Sequence, residues 1–253
     1  MTGDRASPQG VGEAPVLHAM GLTLEYPGGK RAVDGLELAI PAGMVFGLLG
    51  ANGAGKTTTI KLLLGLLAPT SGRALVAGKD VARSPAEARR QCAYVPELVA
   101  LYENFSGLEN LRYFAALADQ PISQDAAIEQ LRGVGLGPDV ARQRTRHYSK
   151  GMRQKVGLAI ALARNTRALL LDEPLSGLDP KAAHDFCDTL SAVVERCRMA
   201  VLMATHDIFR ARSTCTRVGI MRAGRLIEEV PAAGLAAEEL ESLYLRTVGE
   251  ASA

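Results

Sequence analysis

Apolar and polar positions alternate along residues 16–25 and 32–40, on either side of the turn Pro27-Gly28-Gly29. That period of two predicts a pair of antiparallel strands. The pattern changes at Met44. Met44 to Leu49 is apolar without alternation and stops at Gly50, as in a strand buried on both faces. Ile60, Leu63, Leu64 and Leu67 then recur at helical spacing. After the turn Pro69-Thr70-Ser71-Gly72 the sequence predicts a short strand (Arg73 to Ala77), a short helix (Ala86 to Arg90) and a strand (Cys92 to Val95) broken by Pro96. From Leu98 to Ala163 the helical period dominates. One segment carries Leu108, Leu111, Phe114, Ala115 and Ala118, the next Ile128 and Leu131, and the last a stripe of Met152, Val156, Ala159, Ile160 and Ala163. A helical insert thus interrupts an α/β core.

The core resumes with a buried strand from Ala168 to Leu171. A helix from Lys181 to Glu195, starting at Pro180, and a strand from Met199 to Ala204 follow. Two short strands about Ala223-Gly224 close the core. A last helix, with Leu240, Leu243 and Tyr244 inward, reads as support.

Composition narrows the class. Of 253 residues, 47% are apolar and 22% charged, which suits one globular domain with a subdomain. A net charge of +2 gives no chain-wide footprint for nucleic acid, and no nucleic-acid partner is expected. No stretch reaches the roughly 18 to 20 apolar residues of a membrane span. The start, MTGDRASPQGVGEAP, has no apolar signal core and reads as a flexible tail over residues 1–15, so a cytoplasmic location is expected. Cys92, Cys187, Cys197 and Cys215 are far apart, with no zinc spacing, and read as buried free thiols.

The chemistry concentrates where the apolar run stops. Gly50-Ala51-Asn52-Gly53-Ala54-Gly55-Lys56-Thr57-Thr58 fits G-x-x-x-x-G-K-[ST] between a strand and a helix. Side chains at Gly50, Gly53 or Gly55 would block the close approach of a polyanion to successive backbone N–H groups. The helix N-terminus adds its positive end, Lys56 reaches β- and γ-phosphates, and Thr57 suits Mg²⁺. The stretch predicts a nucleoside triphosphate site. Asp172 and Glu173 end the next buried strand, where open α/β sheets bind ligands. Asp172 is placed for the Mg²⁺ shell, and Glu173 for taking a proton from an attacking water. His206 ends a third strand on the same side and can reach the γ-phosphate, although a lone histidine is usually structural. Tyr26 is either a capping aromatic on a sheet edge or a stacking platform for a base.

The order of these segments resembles the ATP-binding subunit of ABC transporters over about residues 16 to 230: Tyr26, Gly50 to Thr58, Glu97, Tyr148-Ser149-Lys150-Gly151-Met152-Arg153-Gln154, Leu171 to Glu173, Ser176 to Asp179, and His206. The resemblance implies a P-loop NTPase core with an antiparallel β subdomain, an inserted α-helical subdomain at about 98–165, and a helical extension over 231–253. It further implies two such domains head to tail, with ATP and Mg²⁺ trapped between the phosphate loop of one and Ser149 and Gly151 of the other. Tyr26 would stack on adenine, Asp179 would couple the two sites, and hydrolysis would reopen the dimer. Ser149 is also a good N-cap for the helix that follows. The implied partners are an integral membrane permease and a second ATPase subunit, a homodimer being the simpler arrangement. The implied location is the cytoplasmic face of the membrane.

Two stretches depart from the family pattern. Glu97 replaces the usual glutamine that contacts Mg²⁺ and water; it is expected either to ligate the metal or to turn away, since an extra charge about 5 Å from the γ-phosphate costs on the order of 3 kcal/mol. Lys150 and Met152 stand where glycine and glutamine are usual. The Y-S-K-G-M-R-Q form and the Pro96-Glu97 pair resemble bacterial ABC-2-type exporter ATPases. A soluble ABC ATPase acting in assembly remains the alternative. Residues 97–108 are a docking surface for the permease or a plain surface loop. The basic run Arg142, Arg144, Arg146, His147, Lys150, Arg153, Lys155 is a solvated face, or offsets ATP or lipid charge.

Overall fold

A computed structural model describes residues 14–249 of the chain. The expected N-terminal tail therefore lies outside the described residues, apart from Ala14 and Pro15. Alternation in the first hairpin produces β1 (Leu17–Glu25) and β2 (Arg31–Ile40), which pair antiparallel. Each turns its apolar set inward, with Leu17, Ala19 and Leu22 facing the same core as Val33, Leu36, Leu38 and Ile40. The unalternating run becomes β3 (Val45–Leu49), buried at every residue, and leads through the glycine-rich loop into α1 (Lys56–Leu63).

Next come β4 (Ser71–Val76), β5 (Lys79–Asp80), α2 (Pro85–Arg90) and β6 (Cys92–Val95). The helical insert contains α3 (Gly107–Leu117), α4 (Gln124–Gly133), the short α5 (Pro138–Ala141) and α6 (Lys150–Ala163). The core returns as β7 (Ala168–Asp172), α7 (Pro180–Cys197), β8 (Ala200–Thr205), α8 (Ile208–Thr214), β9 (Arg217–Arg222), β10 (Arg225–Pro231) and α9 (Ala237–Gly249).

Two sheets result. One is antiparallel, in the order β2-β1-β4-β5; the other runs β10-β9-β3-β8-β7-β6, parallel from β9 to β6 with β10 as an antiparallel edge. Helix α1 lies between the sheets and touches strands of both. The period of two splits each parallel strand between two cores. Val45, Leu49, Leu169, Leu171, Val201 and Met203 face the helical insert and α7. Phe46, Leu48, Leu170 and Leu202 face α1 and the antiparallel sheet. The C-terminal ends of β3, β8, β7 and β6 consequently share one sheet edge, the edge where α/β folds bind ligands.

Three expectations need correcting. Residues 98–106 carry no helix, although helical periodicity was expected from Leu98. The buried Asn110 side chain holds this segment open: its Oδ1 accepts from Tyr102 N at 2.8 Å, and its Nδ2 donates to the Tyr102 and Ser106 carbonyls. Helix α3 then starts at a capping box between Ser106 and Glu109. Helix α6 buries more than one stripe, because Gln154, Gly157, Leu158 and Ala161 are also enclosed where it meets β6, α3, α4 and α7. Finally, Cys197 is exposed: its spacing continues the face that carries Phe186, Leu190 and Val194, but it is the last residue of α7, beyond the buried part of that face.

Candidate functional site

The loop between β3 and α1 owes its shape to contacts with its own protein. A Cβ at Gly55 would overlap the Ala32 carbonyl, and one at Gly50 would sit 2.5 Å from the Met221 carbonyl. Gly55 also has φ +111, which excludes other residues. The expectation that glycine is needed there for close approach to a polyanion is thus corrected at these two positions. Only Gly53, with open space at its Cβ position, leaves room on the outer side.

This loop forms one wall of an open cleft of ≈ 330 Å³ lined by Tyr26, Lys30, Ala32, Asn52 to Thr58, Glu97 and Glu173. The volume is within the range of small-molecule sites. Tyr26 is 41% exposed at its mouth. Lys56 is buried, and its Nζ donates to the Gly50 carbonyl at 2.7 Å and to Ala51 O at 3.3 Å. It also lies 3.3 Å from Glu173 Oε1. That oxygen is buried yet accepts no hydrogen bond, so it can take one from a donor entering the cleft.

Glu173 is held from three sides. Its Oε2 is 2.8 Å from His206 Nδ1, and its backbone N–H donates to Ala204 O. Its φ of +46 is a left-handed conformation rare outside glycine, the kind of local strain that accumulates at working sites. Asp172, directly before it, is 7% exposed and accepts from the Thr57 hydroxyl at 2.9 Å. Burial pushes its carboxyl above the usual range, and the Thr57 hydroxyl pulls it back only in part.

These oxygens fit Mg²⁺. Two ligands at right angles on an octahedral Mg²⁺ with bonds of about 2.0–2.1 Å stand about 2.9 Å apart, which is the separation already present between Thr57 and Asp172. No group of three or more His, Cys, Asp or Glu suited to a metal ion occurs among the described residues. A cation that keeps most of its water and takes one or two protein oxygens does not require one.

Of the remaining candidates, Glu97 lines the cleft but its carboxylate is engaged by other groups, and Ser149, Gly151 and Asp179 lie elsewhere. The Glu97 carboxylate accepts from the Ser176 hydroxyl at 2.8 Å and stands 3.8 Å from Lys150 Nζ, while Asp172 is bonded by Thr57. Ser149 caps α6, its Oγ accepting from Met152 N, and Asp179 caps α7 by accepting from Ala182 N. Neither Ser149 nor Gly151 nor Asp179 lines the cleft. Gly151 instead faces Ala182 and Leu178, so the start of α6 packs on the segment that follows Glu173.

Two features of the site had no signal in the sequence. Tyr94 pairs with Leu170 in register, which turns its ring to the same side as Asp172, and burial beside that carboxylate pushes its hydroxyl up to about 12. Lys30 and Ala32 reach the cleft only because the β1–β2 hairpin folds over the loop. Both depend on strand pairing, which the pattern of one strand does not specify.

The chain is similar to known proteins over most of its length. Residues 33–176, more than half of the chain, match the family described as ABC transporter. ATP-binding cassette sub-family A member 7 of Rattus norvegicus is 39% identical over 86% of this chain and 10% of its own length. The daunorubicin/doxorubicin resistance ATP-binding protein DrrA of Streptomyces peucetius is 37% identical over 84% of this chain and 64% of its own. The chain thus spans a small part of the first and just under two thirds of the second. A solved structure of an ATP-binding subunit of an ABC transporter superposes with a TM-score of 0.77 at 29% identity, covering 90% of this chain and 99% of that one.

Proposed function

The chain belongs to the ABC transporter family of ATP-binding domains, and from that membership we propose that it is the ATP-hydrolysing subunit of a membrane transporter. The observation that carries this reading is the convergence of Lys56, Thr57, Asp172, Glu173 and His206 on one sheet edge. ATP would enter with its phosphates along Asn52 to Thr58 and its base against Tyr26. Lys56 would turn from the Gly50 carbonyl to the β- and γ-phosphates, while Thr57 and Asp172 would hold Mg²⁺. Bound there, the metal would supply neutralisation of the triphosphate charge.

Glu173 would take a proton from water as its oxygen attacks the γ-phosphorus. The bond to the ADP oxygen breaks, giving ADP and phosphate. His206, whose Nδ1 lies 2.8 Å from Glu173 Oε2, would fix the carboxylate and face the γ-phosphate.

Ser149 and Gly151 stand outside their own cleft, which supports a site completed by a second chain. A second copy, head to tail, would bring the N-terminus of α6 to the γ-phosphate, where a capped helix start favours an anion. We assign the permease as a membrane partner, the protein to the cytoplasmic face, and transport to export of the ABC-2 type; the likeness to DrrA and the Y-S-K-G-M-R-Q segment support this. No helix among the described residues is long and apolar enough to cross a membrane, so the transport path would be supplied by another segment or subunit. The 16–230 core, with its inserted helices and the 231–253 extension, is read as one working unit.

The test is affinity purification of the tagged protein from detergent-solubilised native membranes, with mass spectrometry of stoichiometric partners. A multi-span membrane protein is expected. Recovery with soluble assembly factors alone would contradict the transporter reading.

A further inference from the structure

Helix α6 meets the loop after β6 along a single face, using Lys150, Gln154 and Gly157 at spacings of four and three. Gln154 is fully buried, and its Nε2 donates to the carbonyls of Pro96 at 3.2 Å and Glu97 at 2.7 Å. At Gly157 a Cβ would lie 2.9 Å from Val99 Cγ2, so glycine there lets the helix press directly onto the loop. The backbone of Pro96 to Val99 is therefore fastened to α6.

The side chain of Glu97 is fastened separately. One carboxylate oxygen, Oε1, accepts from Ser176 Oγ at 2.8 Å and faces Lys150 Nζ at 3.8 Å. Ser176 belongs to the turn just after Glu173, and Lys150 is the first residue of the helix that Ser149 caps. Yet Glu97 also lines the cleft. An acid at this place has two outlets, toward the phosphates or toward Lys150 and Ser176, and the structure has it on the second. Of the departures from the usual motif residues, Glu97 and Lys150 thus face each other.

We propose that Lys150 is a positioning residue that, together with Ser176, holds the Glu97 carboxylate off the triphosphate. This rests on the cleft being an ATP site. Without Lys150 the carboxylate keeps only a neutral donor, and it swings toward the cleft, where its charge opposes that of ATP. Mg²⁺ offsets the added charge, so losing Lys150 weakens metal-free binding most. The role of Lys150 must vanish when Glu97 is neutral, which separates it from a general attraction between a lysine and a nucleotide.

The experiment is a double-mutant cycle on binding of the fluorescent analogue mant-ATP to the full chain, in EDTA and in Mg²⁺, with Lys150→Ala, Lys150→Arg, Glu97→Gln and Lys150→Ala/Glu97→Gln. Lys150→Ala is expected to weaken metal-free binding about three- to tenfold, an effect smaller in Mg²⁺. Lys150→Arg is expected to restore it, and in the Glu97→Gln background Lys150→Ala is expected to change nothing. Equal losses in both backgrounds, or no loss in either, would overturn the positioning role while leaving the ATP site intact. Failure of the unsubstituted chain to bind mant-ATP in Mg²⁺ would overturn the proposed function and this inference together.

Discussion

Lys56 and Glu173 stand 3.3 Å apart across the floor of the cleft, 117 residues apart in the chain by their numbers, with the lysine 6% and the glutamate 15% exposed in their side chains. On the proposed reading, the pair puts the cation that would hold phosphate beside the carboxylate that would take a proton from water. An incoming γ-phosphate must share or take that lysine, and it meets a negative charge already in place. Neutralising the carboxylate should therefore help binding while removing the base.

Glu173→Gln is expected to bind ATP about three- to tenfold more tightly and to lose about 10²–10⁴ in turnover. Equilibrium binding and phosphate release on the same preparation check both halves. A variant that loses binding and turnover together would place Glu173 in nucleotide recognition instead.

The bond from Thr57 to Asp172 makes a separate prediction about the metal. Thr57→Val keeps the shape of the side chain and removes its oxygen, leaving the buried Asp172 with less compensation. The gain in ATP affinity on adding Mg²⁺ should shrink at least about tenfold, equivalent to about 1.4 kcal/mol, and Thr57→Ser should recover it. Titration of Mg²⁺ at fixed nucleotide reads the difference.

Acid stability should depend on the cap of α3. The backbone N–H and hydroxyl of Ser106 hold the Glu109 carboxyl below its usual range. A depressed carboxylate contributes stability that is present above its unfolded value, near pH 4, and that is lost as pH falls through the lower folded value. Glu109→Gln should thus unfold more easily than the parent at neutral pH and match it in acid. Ser106→Ala, which removes the cap itself, should cost about 1 kcal/mol. Thermal melts from pH 7 down to about pH 3 follow both.

Thiol chemistry should discriminate among the four cysteines. Cys197 is exposed, whereas burial pushes the Cys92 thiol up to about 12 and raises Cys215 and Cys187 as well. The thiolate is the reactive form, so iodoacetamide should label Cys197 alone in the folded protein and all four after denaturation. Peptide mapping gives the order of labelling.

Most of the parallel core was legible because buried strands advertise themselves as apolar runs, and Val45–Leu49, Ala168–Asp172 and Ala200–Thr205 lie within about a residue of where those runs fall. The two-residue β5 carries too little pattern to be seen. The 98–106 segment misled for a physical reason: Leu98, Leu101 and Phe105 fit a helical period, but the side chain of Asn110 satisfies that backbone in an open form. In the site, the loop lysine and threonine and the two acids could be named from local pattern alone. The direction taken by Glu97 could not, since it is set by Lys150 and Ser176, 53 and 79 residues away.

The central claim is a site completed by two chains, and subunit mixing tests it most directly. Lys56→Ala disables the phosphate loop and Ser149→Arg the facing helix start, so each homodimer should be inactive. If the sites are shared, half of the dimers in an equal mixture are mixed and each holds one intact site, so phosphate release should return to about a quarter of the parental rate. A mixture no more active than either variant alone would contradict the account.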